Sequence, residues 1–220
     1  KKITVMSTGM GTDNIDIVIN ELDALVNIDL ENRVIKDTHT SLNIVRIGTC
    51  GALQSDIPVN STIASSFGLG FDGLMNYYEF EQTKEELDLL EAFYQQTNYS
   101  KTFAQPYFVK ASENLFYLLA EDCITGITAT AGGFYGPQGR KLRIPLKENK
   151  LNEKLNEFSH NQNIITNFEM ETSALYGLSR ALGHNACTMC VVVANRFSNE
   201  FSKDYKPSML KLIDHVLAKL

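Results

Sequence analysis

Cys187-Thr188-Met189-Cys190-Val191-Val192-Val193-Ala194 is a continuous, almost wholly apolar run of strand length. A strand with one wet face alternates apolar and polar residues. This one does not, so it reads as a strand buried on both faces. Just before it, residues 172–182 read as a helix closed by Gly183, a residue suited to a helix C-cap. Helix followed by buried strand is one piece of an α/β alternation, and the same alternation extends outward on both sides.

Toward the N-terminus, residues 147–157 read as a charged surface helix, 123–131 as a Thr- and Ile-rich strand and 113–119 as a short helix. Residues 84–95 form an amphipathic helix with Leu87, Leu90, Phe93 and Tyr94 on one side. Pro58 opens a turn and strand through Ala64. Residues 43–47 are a strand ended by Gly48-Thr49-Cys50-Gly51. Residues 14–25 are a helix with Ile15, Val18, Ile19, Leu22 and Leu25 in phase. Ile3 to Met6 is a β-type run that stops at Ser7-Thr8-Gly9-Met10-Gly11. Toward the C-terminus, residues 207–220 return to helix, with Leu210, Ile213 and Leu217 in phase. Interleaved strands and helices without repeat or linker predict one three-layer α/β domain over residues 1–220. The chain opens on Lys1-Lys2-Ile3, almost directly in a predicted strand, as though an N-terminal piece were absent.

The sequence has 220 residues, 44% hydrophobic and 21% charged, enough for a real core. A net charge of −6 argues against nucleic acid as partner. No apolar run reaches the ~20 residues that span a bilayer, and four cysteines without a dense framework fit a reducing cytoplasm. Cys187 and Cys190, three apart on a strand, point to opposite faces and make no metal or redox pair. His39, His160, His184 and His215 form no metal motif and read as ordinary surface residues.

Arg46-Ile47-Gly48-Thr49-Cys50-Gly51 sets an arginine in a strand that should be mostly buried. That charge is unfavourable there unless it meets an anion, and its planar fork suits phosphate or carboxylate. The Gly-Thr-x-Gly that follows offers N–H groups and a hydroxyl at the strand's C-terminal end, where α/β sheets place ligands. A structural ion pair with a nearby Asp or Glu fits these residues equally well. Phe134-Tyr135-Gly136-Pro137-Gln138-Gly139-Arg140 joins an aromatic ring to an amide, both donor and acceptor, and a guanidinium, donor only. Together they match the N3–H and carbonyls of uracil; a plain surface turn is the alternative. In Asn167-Phe168-Glu169-Met170-Glu171-Thr172, one carboxylate could hold both hydroxyls of a ribose. Alternatively the two merely favour the start of the following helix, worth about 0.5 kcal/mol. Asn195-Arg196 ends the buried strand, and its arginine either faces the same cleft or forms a loop salt bridge.

In this order and spacing, the 7–11, 46–49, 134–140, 167–171 and 195–196 segments resemble the nucleoside phosphorylase-I superfamily, most of all its uridine phosphorylases. The resemblance implies a three-layer α/β/α sandwich with a central mixed, partly barrel-like sheet. It implies phosphorolysis of uridine-like pyrimidine nucleosides to free base and ribose 1-phosphate. Arg46, Thr49 and Gly9 would bind phosphate, and Thr49, Met170 and Glu171 the ribose. Phe134, Gln138, Arg140 and Arg196 would bind the base, and Arg46, Gln138 and Arg140 would carry the catalysis. No metal or organic cofactor is implied; inorganic phosphate is the co-substrate. A cytoplasmic pentosyltransferase of pyrimidine salvage follows, a homo-oligomer built from dimers, with neither membrane nor nucleic acid as partner.

Family members also carry an earlier β/α unit with a Gly- and Arg-containing phosphate loop, and a histidine that reaches a neighbour's site. Neither is present in this sequence. A purine nucleoside phosphorylase or nucleosidase of the same superfamily remains the alternative, although such relatives commonly use an aspartate proton donor where Asn195 stands. So does a catalytically silent nucleoside-binding protein on this fold.

Overall fold

The computed structural model describes residues 2–220. Its elements in order are α1 (Thr12–Asn27), β1 (Ile28–Asp29), β2 (Val34–Ile35), β3 (Asn43–Ala52), β4 (Thr62–Gly70), α2 (Lys84–Thr97), β5 (Tyr107–Lys110), α3 (Glu113–Leu119) and β6 (Ile124–Thr130). There follow α4 (Leu151–Glu157), β7 (Ser159–His160), β8 (Asn163–Glu169), α5 (Thr172–Ala181), β9 (Asn185–Asn195), β10 (Glu200–Phe201) and α6 (Lys206–Lys219).

The apolar run at 187–194 is the middle of β9, and its burial on two sides has a topological cause. β9 pairs in parallel with β3 from Asn43↔Asn185 to Ala52↔Asn195, and antiparallel with β4. The remaining pairs, β3–β8, β8–β6 and β6–β4, carry the sheet round to meet itself. The result is a partial five-stranded barrel in a mixed sheet, with six helices outside it. On the outer face of β9, Cys187, Met189 and Val191 pack with Leu115 and Leu119 of α3 and Leu212 and Val216 of α6. On its inner face, Cys190 and Val192 pack with Cys50 and Ile63. Both faces are therefore covered, as the missing alternation required.

Two further groups of helices complete the layers. α2 and α4 cover β6 and β8 through Leu89, Phe93, Leu151 and Leu155. α1 and α5 pack together through Ile15, Ile19, Ala174, Leu175 and Leu178. Gly68 lets the start of α5 come close to β4: a Cβ there would sit 2.8 Å from the Cα of Ser173.

Several predicted details differ. Residues 3–6 form no strand; Ile3 and Val5 are exposed, with no described segment paired to them. β3 does not stop at Gly48 but runs through the glycines to Ala52, because β9 supplies partners along that whole stretch. α4 begins at Leu151, four residues later than the charge pattern suggested. α2 buries Leu89 and Ala92 with Phe93, leaving Leu87 exposed. α6 buries Leu212 and Val216, with Met209 partly covered, while Leu210 and Leu217 are exposed. That helix carries two adjacent apolar stripes of equal periodicity, so spacing alone cannot choose the one that faces the sheet.

The histidines also depart from expectation. His184 is buried rather than at the surface. Its Nδ1 accepts the Leu42 amide at 3.2 Å, so the neutral ring carries its proton on Nε2, which lies 3.2 Å from Asp23 Oδ1. His39 stacks on it at 5.7 Å. Asp23, His39 and His184 bring ligand-type atoms within 4.8 Å of one another, but a protonated Nε2 has no lone pair to give a metal. Burial holds the His184 pKa below its ordinary 6.5, with Asp23 opposing and His39 reinforcing. Stability should therefore be full above about pH 6.5 and fall as pH drops, because the unfolded chain takes up the proton first. Thermal denaturation between about pH 7.5 and pH 5 should show a steeper loss for the wild type than for His184→Asn, which keeps an acceptor for Leu42.

Candidate active site

Arg46 lies on β3 with Gly48 and Cys50 on the inner side of the barrel, and its guanidinium rests against Gly48. A Cβ at Gly48 would fall 2.7 Å from both terminal nitrogens, so only glycine leaves this space. Nη1 is 3.2 Å from Glu169 Oε2 and donates to the Cys190 sulfur at 3.2 Å; Nη2 pairs with Glu171 Oε2. Burial disfavours the Arg46 charge, but Glu169, Cys190 and Glu171 outweigh it, and its pKa is raised.

Glu169 ends β8, and it is buried among donors. It accepts from Thr130 Oγ1 at 2.7 Å, Glu171 N at 2.9 Å and Thr172 N at 3.0 Å. It thus serves the start of α5, one reading of the paired carboxylates, and at once grips Arg46 in the ion pair that fitted that arginine. Burial raises its pKa, Arg46 pulls it down, and Glu171 pushes it up again; the net direction is upward. Glu171 Oε1 accepts the Gly11 amide at 2.7 Å. This fixes the N-terminal glycine turn beside the carboxylates. Gly9, two residues earlier, takes a left-handed φ of 77° and is exposed.

Thr49 follows Gly48 on β3. Alternation along β3 sets it on the face of Val45 and Ile47, and it is exposed. Met170 is half-buried, with its amide 3.3 Å from Glu171 Oε2.

The second cluster lies further along β3. Arg196 follows β9, donates its own amide to Ala52 O, and sets Nε where a Cβ on Gly51 would be 3.6 Å away. Gly48 and Gly51 are three residues apart, roughly 10 Å along the strand, and the alternation of β3 sets Gly51 on the face of Thr49 rather than that of Arg46. Gln138, in the short 3₁₀ turn Gly136–Gln138, is buried. Its Oε1 accepts from Arg140 Nη1 at 2.7 Å and Arg196 Nη2 at 2.6 Å. Its Nε2 donates to no described residue. Arg140 also donates to Phe134 O at 2.5 Å, and its guanidinium covers one face of the half-exposed Phe134 ring at 3.8 Å.

Among the described residues no carboxylate pairs with Arg140 or Arg196. Burial, reinforced by the charge of Arg140, pushes the Arg196 pKa down to about 10; burial lowers Arg140 as well. Two uncompensated cations sharing one neutral amide make a site that favours incoming negative charge. Arg46, between two carboxylates, is the opposite case.

Asn195 is buried and points elsewhere. Its Nδ2 donates to Gln54 O and Ile57 O, and its Oδ1 accepts from Phe197 N and Ser198 N. Sequence reasoning gave Gly11 no role of its own and weighed Cys190 only as half of a metal or redox pair. The signal for Gly11 was its place in the glycine turn; for Cys190 there was none, because its contact depends on the β3–β9 register.

A family model described as the phosphorylase superfamily matches residues 1–218. A uridine phosphorylase of Thermococcus kodakarensis is 30% identical over 210 residues, covering 91% of this chain and 61% of that protein. A DeoD-type purine nucleoside phosphorylase of Bacillus velezensis is 26% identical over 196 residues, covering 87% and 63% respectively. The chain therefore spans about three fifths of the length of these curated relatives. A Trypanosoma brucei nucleoside phosphorylase structure reported to show uridine phosphorylase activity superposes with a TM-score of 0.86 at 29% identity, covering 97% of this chain and 78% of that one. A uridine phosphorylase structure from Phytophthora capsici shares the fold at a TM-score of 0.59 and 22% identity, covering 96% and 72%.

Proposed function

Because the chain belongs to the phosphorylase superfamily, we propose that it is a nucleoside phosphorylase, a pentosyltransferase that splits uridine-like pyrimidine nucleosides with inorganic phosphate. The observation that carries the substrate reading is the Gln138 clamp. Arg140 and Arg196 fix the amide oxygen, which leaves Nε2 as a donor for a pyrimidine carbonyl.

Phosphate beside Arg46 attacks C1′ of the ribose from the face opposite the base. The C1′–N1 bond breaks through an oxocarbenium-like state, and the departing uracil gathers negative charge on its carbonyl oxygens. Gln138, Arg140 and Arg196 are preplaced for that charge, and a donor so placed is worth about 3–4 kcal/mol. Glu171, with Met170, holds the ribose hydroxyls and orients the sugar. The chemistry needs no metal or organic cofactor.

The purine reading, suggested by the DeoD-type relatives, lacks its proton donor. The position where such relatives commonly carry an aspartate is Asn195, an amide bonded into the 54–57 turn. A cytoplasmic homo-oligomer in pyrimidine salvage completes the proposal. The exposed apolar side chains Ile3, Val5, Met10, Ile17 and Leu25 supply surface for a second copy.

Uracil release from uridine, measured with and without phosphate, tests this reading. Release should depend on phosphate. Equal release without it would make the protein a hydrolase, and binding without turnover would make it a silent nucleoside binder.

A further inference from the structure

Two cysteines that the proposed reaction does not use lie beside Arg46. The parallel register sets Gly48 opposite Cys190 and Cys50 opposite Val192, so both thiols point into the barrel on the side of the Arg46 side chain. Both are free and buried. Cys50 packs beside Cys190, and Arg46 Nη1 donates to the Cys190 sulfur at 3.2 Å. The Cys190 sulfur thus accepts from Arg46. The neighbouring Cys50 thiol lowers the Cys190 pKa, burial opposes, and the Arg46 charge adds to the lowering, so the sulfur is polarised toward its better accepting form.

Arg46 is held on two sides. On one, Nη2 pairs with Glu171; on the other, Nη1 meets Glu169 and Cys190. In the phosphorylase reading Glu171 must share its oxygens with the ribose hydroxyls, and its hold on Nη2 weakens when the nucleoside enters. The Nη1 side does not change, because Glu169 is fixed by Thr130 and the start of α5. We propose that Cys190 is a positioning residue for Arg46: its sulfur keeps the guanidinium over Gly48, aimed at the phosphate, while Glu171 turns to the sugar. The inference rests on the phosphorylase reading above.

The test compares Cys190→Val, which fills the space but accepts no hydrogen bond, with Cys190→Ser, which restores an acceptor. Loss of one hydrogen bond to a charged donor is worth about tenfold. The valine variant should raise KM for phosphate by about that factor, with kcat at saturating phosphate and KM for uridine little changed. The serine variant should return to within about twofold of wild type. Crystal structures should show the guanidinium displaced from Gly48 in the valine variant alone. An unmoved phosphate KM in Cys190→Val would overturn the proposal, as would equal losses in both variants, which would mark a packing role. If the wild type itself releases no uracil with phosphate, it is the phosphorylase reading that fails. The two structures then decide the positioning role, and an undisplaced Arg46 in Cys190→Val overturns it.

Discussion

Arg46→Ala is expected to lower phosphate-dependent uracil release by at least about 10³-fold and to destabilise the fold by about 3–5 kcal/mol. The two losses have different origins. The catalytic one is removal of the guanidinium that meets the attacking phosphate. The structural one arises because Glu169 and Glu171, both buried, lose the cation between them. Glu169 keeps its bonds from Thr130 and Thr172, so the fold should weaken rather than collapse.

The pH dependence identifies the cause. The Glu169 pKa is already raised by burial with Arg46 opposing, and removing Arg46 raises it further. A carboxyl whose folded pKa lies above its unfolded value adds stability below that unfolded value, and the contribution is lost as pH rises through the folded one. The stability deficit of Arg46→Ala should therefore be smallest near pH 5 and deepen toward pH 8. Calorimetric melting at both pH values, together with the uracil-release assay, checks the two parts. A deficit independent of pH would mean that the carboxylates do not depend on Arg46.

Gln138→Glu should leave the fold intact and reduce kcat/KM for uridine by about 10²–10³-fold. The glutamate is nearly isosteric, and Arg140 and Arg196 would hold it more firmly than the neutral amide. The melting temperature should hold or rise. What changes is the other end of the side chain: the Nε2 donor becomes an acceptor facing a pyrimidine carbonyl. The added negative charge also cancels part of the field that favours an anionic leaving group. An active, stable Gln138→Glu enzyme would sink the assignment of this amide to the base.

The sequence and the structure agree where one residue type has one use. An arginine in an apolar strand demanded an anionic neighbour, and Arg46 has two. The residues themselves could not say whether those neighbours were structural carboxylates or a ligand; the structure shows carboxylates in place. The Gln138–Arg140 turn stood out only through its residue types, an amide beside a guanidinium, and on those alone a plain surface turn was the favoured reading. The support from Arg196 was weaker in the sequence, since 58 residues separate it from Gln138. Thr49 is a different case. The resemblance implied that it binds phosphate with Arg46, and strand alternation sets the two side chains on opposite faces of β3. The stripe of α6 that faces the sheet and the continuation of β3 past Gly48 both depend on what β9 and its neighbours cover, and this is information that local periodicity does not hold.

β9 closes the ring by joining β3 and β4, and it follows both of them far along the chain. While the chain is being made, β3 and β4 have emerged long before the strand that seals both, leaving hydrogen-bonding groups and apolar surface open to other nascent chains. Closure at so large a sequence separation is intrinsically slow. Until β9 is made, therefore, the edges of β3 and β4 are open to unwanted pairing, a hazard separate from the stability of the finished barrel.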